Sequence, residues 1–209
     1  MNKNRIAFCL QVRTLSQRLK RKAFLHVNGK FLLQICIDNI ISIDNKIDFW
    51  VLTSKHNSDN TLCDFLKKKK INYFRGNLLN LVNRYYEFNK IYNYENLIRF
   101  TGDNPCPSSS KTKILIKKHL DGKYDYSTNV FVEDKGIGVD IFSKKLIEKA
   151  NENCNFKQRE HLNKYILSNL NNFKTYVPKV AISRKKNLSI DTNKEYILFK
   201  NRYRESDNL

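Results

Sequence analysis

The sequence predicts an α/β protein folded as one domain over residues 1–209, and three observations predict it. Short apolar runs alternate with amphipathic segments in the manner of successive βαβ units. The first of those runs, residues 6–10, empties into a polar, cation-rich loop. Finally, 209 residues with 41% hydrophobic and 12% aromatic content suffice for one sizeable core, while six Gly and three Pro leave no linker to divide it. No fixed-period repeat is present.

The elements are read in chain order. Residues 6–10 form a first strand. Residues 32–41 carry Leu32, Leu33, Ile35, Cys36 and Ile40 at near-helical spacing, and 47–53, rich in β-formers, is the next strand. A helix over 60–69, a short strand at 71–74, a helix over 77–92 and a strand at 96–100 continue the alternation, with a turn beginning at Thr101. Beyond it come a helix at 110–120, an extended stretch at 124–129, and a helix at 143–151 capped by Ser143. A segment at 159–170 is next, then Ile190 closing the sheet region and a last short helix at 193–199. The tail after Tyr203 is polar and reads as frayed, with 204–209 disordered.

Residues 11–22 hold the chemistry. Five cations, Arg13, Arg18, Lys20, Arg21 and Lys22, surround the hydroxyls of Thr14 and Ser16. A loop at the carboxyl end of a buried strand is where open α/β sheets bind ligands, and backbone N–H groups there meet anions. The ligand this points to is a nucleotide. A basic surface loop is the plainer alternative for the same residues.

Composition excludes other classes. A net charge of +19 attracts phosphate without regard to sequence, but Lys, Asn and Ile are all heavily used, as AT-rich coding produces, and no aromatic-interleaved RNA-binding signature accompanies the charge. No specific nucleic-acid partner is expected. Cysteines at 9, 36, 63, 106 and 154 are odd in number and lack a Cys-x-x-Cys pair, which argues against a disulfide framework and a zinc site and for a cytoplasmic location. The first apolar run is too short for a signal peptide or a membrane span. His26, His56 and His119 have no metal-ligand spacing and read as surface or satisfied core residues.

The order Gln11, Arg13, Ser16, Arg18, Leu19, Lys22 resembles the signature of the SpsF-like cytidylyltransferases of spore-coat polysaccharide synthesis, a group similar to the acylneuraminate and Kdo cytidylyltransferases. Phe74-Arg75-Gly76, Arg84-Tyr85-Tyr86, Ile98 through Thr101-Gly102-Asp103, Asp125-Tyr126, Arg159-Glu160-His161 and Ile190-Asp191-Thr192 recur in the same order. The resemblance implies a three-layer fold of the nucleotide-diphospho-sugar transferase, glycosyltransferase-A-like type: a mixed, mainly parallel sheet with helices on both faces. It also implies CTP and an acidic sugar as substrates, Mg²⁺ as cofactor, and a homodimer in many members.

Residue roles carry over position by position. Arg13, Arg18 and Lys22 match positions that hold the triphosphate, with Ser16 as a hydroxyl donor, and Arg13, Lys22 and Asp103 are the candidate catalytic residues. Gln11 lines the nucleotide pocket and Arg75 matches a base-reading position, although an Arg at a strand end also suits solvent. Asp103 and Asp191 each directly follow a strand and are the candidate Mg²⁺ ligands, while either one alone also suits a turn or a cap. Arg159 and His161 belong to the acceptor pocket or to a dimer contact. Arg84, Tyr85 and Tyr86 read as helix packing.

This chain also departs from the family pattern. Leu15 stands where the family has Gly, Lys20-Arg21 replace Pro-Gly, Phe31 replaces a Pro, Asn80 and Asn83 replace acids, and Gly138 replaces an Asp. These departures keep a second reading open, a nucleotide- or partner-binding protein that retains the fold and has lost the chemistry. A third, a basic nucleic-acid-binding protein, rests on charge alone.

Overall fold

The apolar run at 7–10 is fully buried because it serves two cores at once, with Ala7 and Cys9 on one side and Phe8 and Leu10 on the other. It lies within β1 (Ile6–Gln11). A strand covered on both faces needs no polar alternation, so it reads as a continuous apolar stretch. The computed structural model describes residues 5–15, 18–179 and 186–206.

After β1 the chain makes a 3₁₀ turn at Lys22–Phe24 and a small hairpin of β2 (His26–Val27) and β3 (Lys30–Phe31). It then alternates through α1 (Leu32–Ile41), β4 (Asp48–Ser54), α2 (Asn60–Lys68), β5 (Tyr73–Gly76), α3 (Leu81–Tyr92) and β6 (Asn96–Thr101). The second half comprises α4 (Ser109–Gly122), β7 (Tyr126–Thr128), β8 (Asp140–Ser143), α5 (Lys144–Asn153), α6 (Leu162–Leu167), β9 (Thr175–Tyr176) and α7 (Asn193–Ser206). Ser143 caps α5 as its sequence suggests, its hydroxyl accepting from the Leu146 N–H.

The main sheet runs β5-β4-β1-β6-β8-β7-β9. Its first four strands are parallel, β8 is antiparallel to both neighbours, and β9 is parallel to β7. Helices α3, α5 and α6 pack Tyr85, Phe88, Leu146, Ile147 and Ile166 onto the Ala7 side. On the Phe8 side, α1, α2 and α4 contribute Cys36, Ile37, Leu62, Leu66 and Leu115. This is the three-layer, mixed and mainly parallel α/β architecture that the sequence and its resemblance imply.

Several details differ from the sequence reading. Ile190 belongs to no strand; it is buried and its N–H meets the rest of the fold through a backbone bond to Asp103. Segment 159–170 contains α6 and runs into a 3₁₀ turn at Leu170–Asn172, and α7 continues to Ser206, so residues 204–206 are helical where a frayed tail is predicted. Residues 207–209 lie outside the described residues. All five cysteines are free, and no helix among the described residues is long and apolar enough to cross a membrane.

His119, on α4, is a satisfied core histidine. Its ring nitrogens lie 2.8 Å from Ser127 Oγ and 2.8 Å from Asn96 Oδ1, a neutral tautomer satisfies both, and burial lowers its pKa from 6.5 to about 4. The unfolded chain therefore takes up this proton first as pH falls, and stability is lost between pH 6.5 and about 4. The loss amounts to about 3 kcal/mol. Urea titrations across that range show the decline, and His119→Gln flattens it; an unchanged slope in the variant excludes His119 as its source.

Candidate active site

The order β5-β4-β1-β6 sends the chain outward in both directions from β1, which opens a crevice beyond the carboxyl ends of β1 and β6. Gln11 and Thr101 end these strands as register partners. Just past them the Gly102 N–H donates to the Gln11 carbonyl at 2.9 Å, which ties the two exit loops together and brings Asp103 to the crevice.

Asp191 reaches the same place from the far end of the chain. The Ile190 N–H donates to the Asp103 carbonyl at 2.8 Å, and Lys22 Nζ donates to the Ile190 carbonyl at 2.8 Å. A capping box at the start of α7 fixes the backbone of Asp191 and Thr192. The Glu195 carboxylate accepts from their N–H groups at 2.8 and 2.9 Å, and Thr192 Oγ1 accepts from the Glu195 N–H at 3.3 Å. Burial works against the Glu195 charge, but these bonds outweigh it and hold its pKa low.

The Asp191 carboxylate is 10% exposed and gathers three cations. Lys22 Nζ and Arg18 Nη2 lie 3.2 and 3.1 Å from Oδ1, and Lys135 Nζ lies 3.7 Å from Oδ2. Arg13 does not join them. It turns to the opposite rim, donating to the Leu78 carbonyl at 3.2 Å and to Glu160 Oε1 at 3.0 Å. The single phosphate cluster expected of Arg13, Arg18 and Lys22 is thus split in two by their partners. Ser16 lies outside the described residues.

The Arg13–Glu160 pair ties the Arg159-Glu160-His161 segment to the rim. The Arg159 carbonyl accepts from the N–H groups of Leu81 and Val82 in the first turn of α3, at 2.8 and 3.2 Å, while Arg159 and His161 themselves are exposed. Partial burial, then Lys164, Arg99 and Arg13, lower the His161 pKa, so the ring is neutral near pH 7.

Three residues that the sequence leaves unassigned make the floor. Arg99 Nε donates to Gln11 Oε1 at 2.9 Å, Arg99 Nη1 pairs with Asp140 at 2.9 Å, and Tyr126 Oη donates to Asp140 at 2.7 Å. Burial disfavours the Arg99 charge, but Asp140, Tyr85 and Asp103 outweigh it and push its pKa up. Gln11 is thereby oriented by a buried ion pair. The available signal was a cation in the middle of an otherwise apolar strand, which requires a partner.

Arg75 is engaged elsewhere. Its Nε donates to the Ser54 carbonyl at 2.9 Å, and Nη2 to the His56 carbonyl and Asn60 Oδ1 at 3.0 and 2.9 Å. These bonds brace the turn between β4 and α2. Asp59, which the sequence does not single out, braces that turn from inside, as its bonds to Thr14, Thr53 and Ser54 show.

Two departures from the family pattern gain a physical reading. Leu15 is 52% exposed and has no positive φ, while Arg21, where the family has Gly, adopts φ 52°, so this chain makes a left-handed turn there without glycine. A Cβ on Gly138 would lie 2.7 Å from Val130 Cα and 2.9 Å from its nitrogen, so this backbone has no room for the Asp found there in the family.

Among the described residues no group of three or more His, Cys, Asp and Glu gathers. Asp103 and Asp191, the residues expected to hold Mg²⁺, stand on loops tied together through Ile190, and Mg²⁺ needs only one or two carboxylates, completing its shell with substrate phosphates and water.

The comparisons with known proteins agree with this geometry. A solved cytidylyltransferase from Leptospira borgpetersenii superposes with a TM-score of 0.86 at 28% identity, over 94% of this chain and 85% of that one. CMP:2-keto-3-deoxy-manno-octonic acid synthetase, solved with CTP, superposes at 0.71 over 99% of this chain and 100% of its own, and at 14% identity it shows the shared fold. Among curated proteins, an uncharacterized protein of Methanocaldococcus jannaschii is 31% identical over 196 residues, 91% of this chain and 79% of its own. The spore coat polysaccharide biosynthesis protein SpsF of Bacillus subtilis is 23% identical over 97% of this chain and 88% of its own. With residues 7–203 matched by the family model described as cytidylyltransferase, this chain belongs to the cytidylyltransferase family.

Proposed function

We propose that the protein transfers CMP from CTP to the hydroxyl of an acidic sugar or related hydroxy acid, releasing pyrophosphate, for surface glycan synthesis. The observation that carries this reading is the convergence of Asp103, Asp191, Lys22 and Arg18 on the crevice beyond β1 and β6. The acceptor oxygen attacks the α-phosphorus, its proton passes to solvent, and the bond to the bridging oxygen breaks with its electron pair leaving on pyrophosphate. Charge growing on that leaving group needs fixed cations, and Lys22 and Arg18 are the residues this reading assigns to meet it.

Mg²⁺ held by Asp103 and Asp191, when bound, would neutralise phosphate charge. This reading assigns Arg13, with Glu160 and the neutral His161 on the opposite rim, to the acceptor, whose carboxylate would compete with Glu160 for the Arg13 fork. The test is pyrophosphate release from CTP, UTP, ATP and GTP with Mg²⁺ and a panel of 2-keto-3-deoxy sugar acids. Release with CTP and a sugar acid supports the reading. CTP binding without release across the panel overturns it in favour of a binding protein that keeps the fold.

A further inference from the structure

A third cation enters the crevice from a second loop, just before Gly136. The segment around Lys135 is zipped to the strand-like stretch before Asp191: the Leu188 N–H donates to the Lys135 carbonyl at 2.8 Å, and Lys135 and Asn187 form a parallel bridge. Gly136, at φ +102°, lets the two backbones approach this closely. A Cβ there would lie 2.6 Å from the Ser189 nitrogen and 2.7 Å from the Leu188 carbonyl carbon. Backbone packing therefore sets where Lys135 stands, with its amine facing Asp191 Oδ2 while Lys22 and Arg18 face Oδ1.

The Asp191 carboxylate has more cationic partners than it can neutralise. Three cations surround this carboxylate, and even with Asp103 counted the crevice keeps a positive charge over for whatever enters. The outer two are exposed, Lys135 at 53% and Arg18 at 69% of the side chain, and exposed ion pairs hold weakly. A polyanion in the crevice can take both cations from Asp191 at little cost, while the less exposed Lys22 stays anchored on the Ile190 carbonyl.

We propose that Lys135 is a phosphate-binding residue of the transfer site, gripping the pyrophosphate end of the nucleotide together with Arg18 and Lys22. Asp191 keeps these cations converged until the nucleotide arrives. The inference rests on the nucleotidyl-transfer reading above and adds to it a residue contributed by a different loop from the Gln11 to Lys22 segment.

Lys135→Met removes the charge and keeps the stem, and Lys135→Arg restores a cation. Calorimetric titration of the full chain with inorganic pyrophosphate and with CMP, in EDTA, separates the two ends of the nucleotide. Lys135→Met weakens pyrophosphate about tenfold, the equivalent of about 1.4 kcal/mol, and leaves CMP unchanged. Lys135→Arg recovers most of that loss. Unchanged pyrophosphate affinity in Lys135→Met, or equal weakening of CMP and pyrophosphate, overturns the role of Lys135 and leaves the transfer reading standing. A wild-type chain that binds neither CTP nor pyrophosphate overturns both.

Discussion

Asp103→Asn lowers CTP turnover by about 10²- to 10³-fold, the loss typical of removing one preorganised electrostatic contact from a transfer site, and lowers the melting midpoint by no more than about 4 °C. The two halves of that outcome have separate causes. The structural work at position 103 is done by its backbone, whose carbonyl accepts from the Ile190 N–H. Among the described residues, no hydrogen bond or ion pair engages the Asp103 carboxylate, so an isosteric amide breaks no bond of the fold and withdraws only its electrostatic support from Arg99. What is lost is a negative charge beside the crevice, close enough to Arg99 to help hold that guanidinium charged. Asp191 offers no such clean test, since its carboxylate also organises three cations. Steady-state rates with CTP and Mg²⁺, set beside thermal melts, check both halves. Turnover within about threefold of wild type, well short of the loss expected from a direct contact, removes Asp103 from the mechanism.

How far the sequence discloses this molecule depends on which residues need distant partners. Strands β1, β4 and β6 are legible because each is long enough to show an apolar run, and α1 falls on its predicted bounds because its apolar spacing is undisturbed. Strand β8 is not legible. It has four residues and opens on Asp140, a charge that belongs in a core only because Arg99 of the neighbouring strand neutralises it. Strand β9 has two residues and no pattern to show. At the site, the approach of Asp191 to Asp103 is implied by the ordered resemblance and arises physically from the Ile190 backbone bond. The divergence of Arg13 from Arg18 and Lys22 has no local signal, since its direction is set by Glu160, 147 residues away. Lys135 is hidden for the same reason: its meaning depends on the zipper to residues 187–189.

Asp59→Ala destabilises the fold by about 3 kcal/mol, because each buried neutral donor that it leaves unsatisfied costs about 1–3 kcal/mol, and weakens CTP binding along with it. Asp59 is fully buried, yet it has no ion-pair partner within reach among the described residues; its charge is held by neutral donors. Oδ1 accepts from the Thr14 N–H at 2.7 Å and its hydroxyl at 2.6 Å, while Oδ2 accepts from the Thr53 hydroxyl at 3.0 Å, the Ser54 N–H at 3.1 Å and the Ser54 hydroxyl. Burial pushes the carboxyl pKa up, but the bonds from Ser54, Thr14 and Thr53 win and hold it below 3.8. A pKa depressed by folding means that this stabilisation is complete above the unfolded value near 3.8 and disappears as pH falls through the folded value. The acid loss due to His119 is already spent by about pH 4, so the two groups act in successive windows. Thr14 lies between Arg13 and Leu15 in the cation loop, so the same carboxylate that braces the end of β4 also sets where that loop leaves β1. Denaturant titrations at neutral pH and below pH 4, with CTP titrations alongside, test the coupling. An Asp59→Ala chain as stable as wild type, or one destabilised with CTP affinity intact, would show that the loop is held by something else.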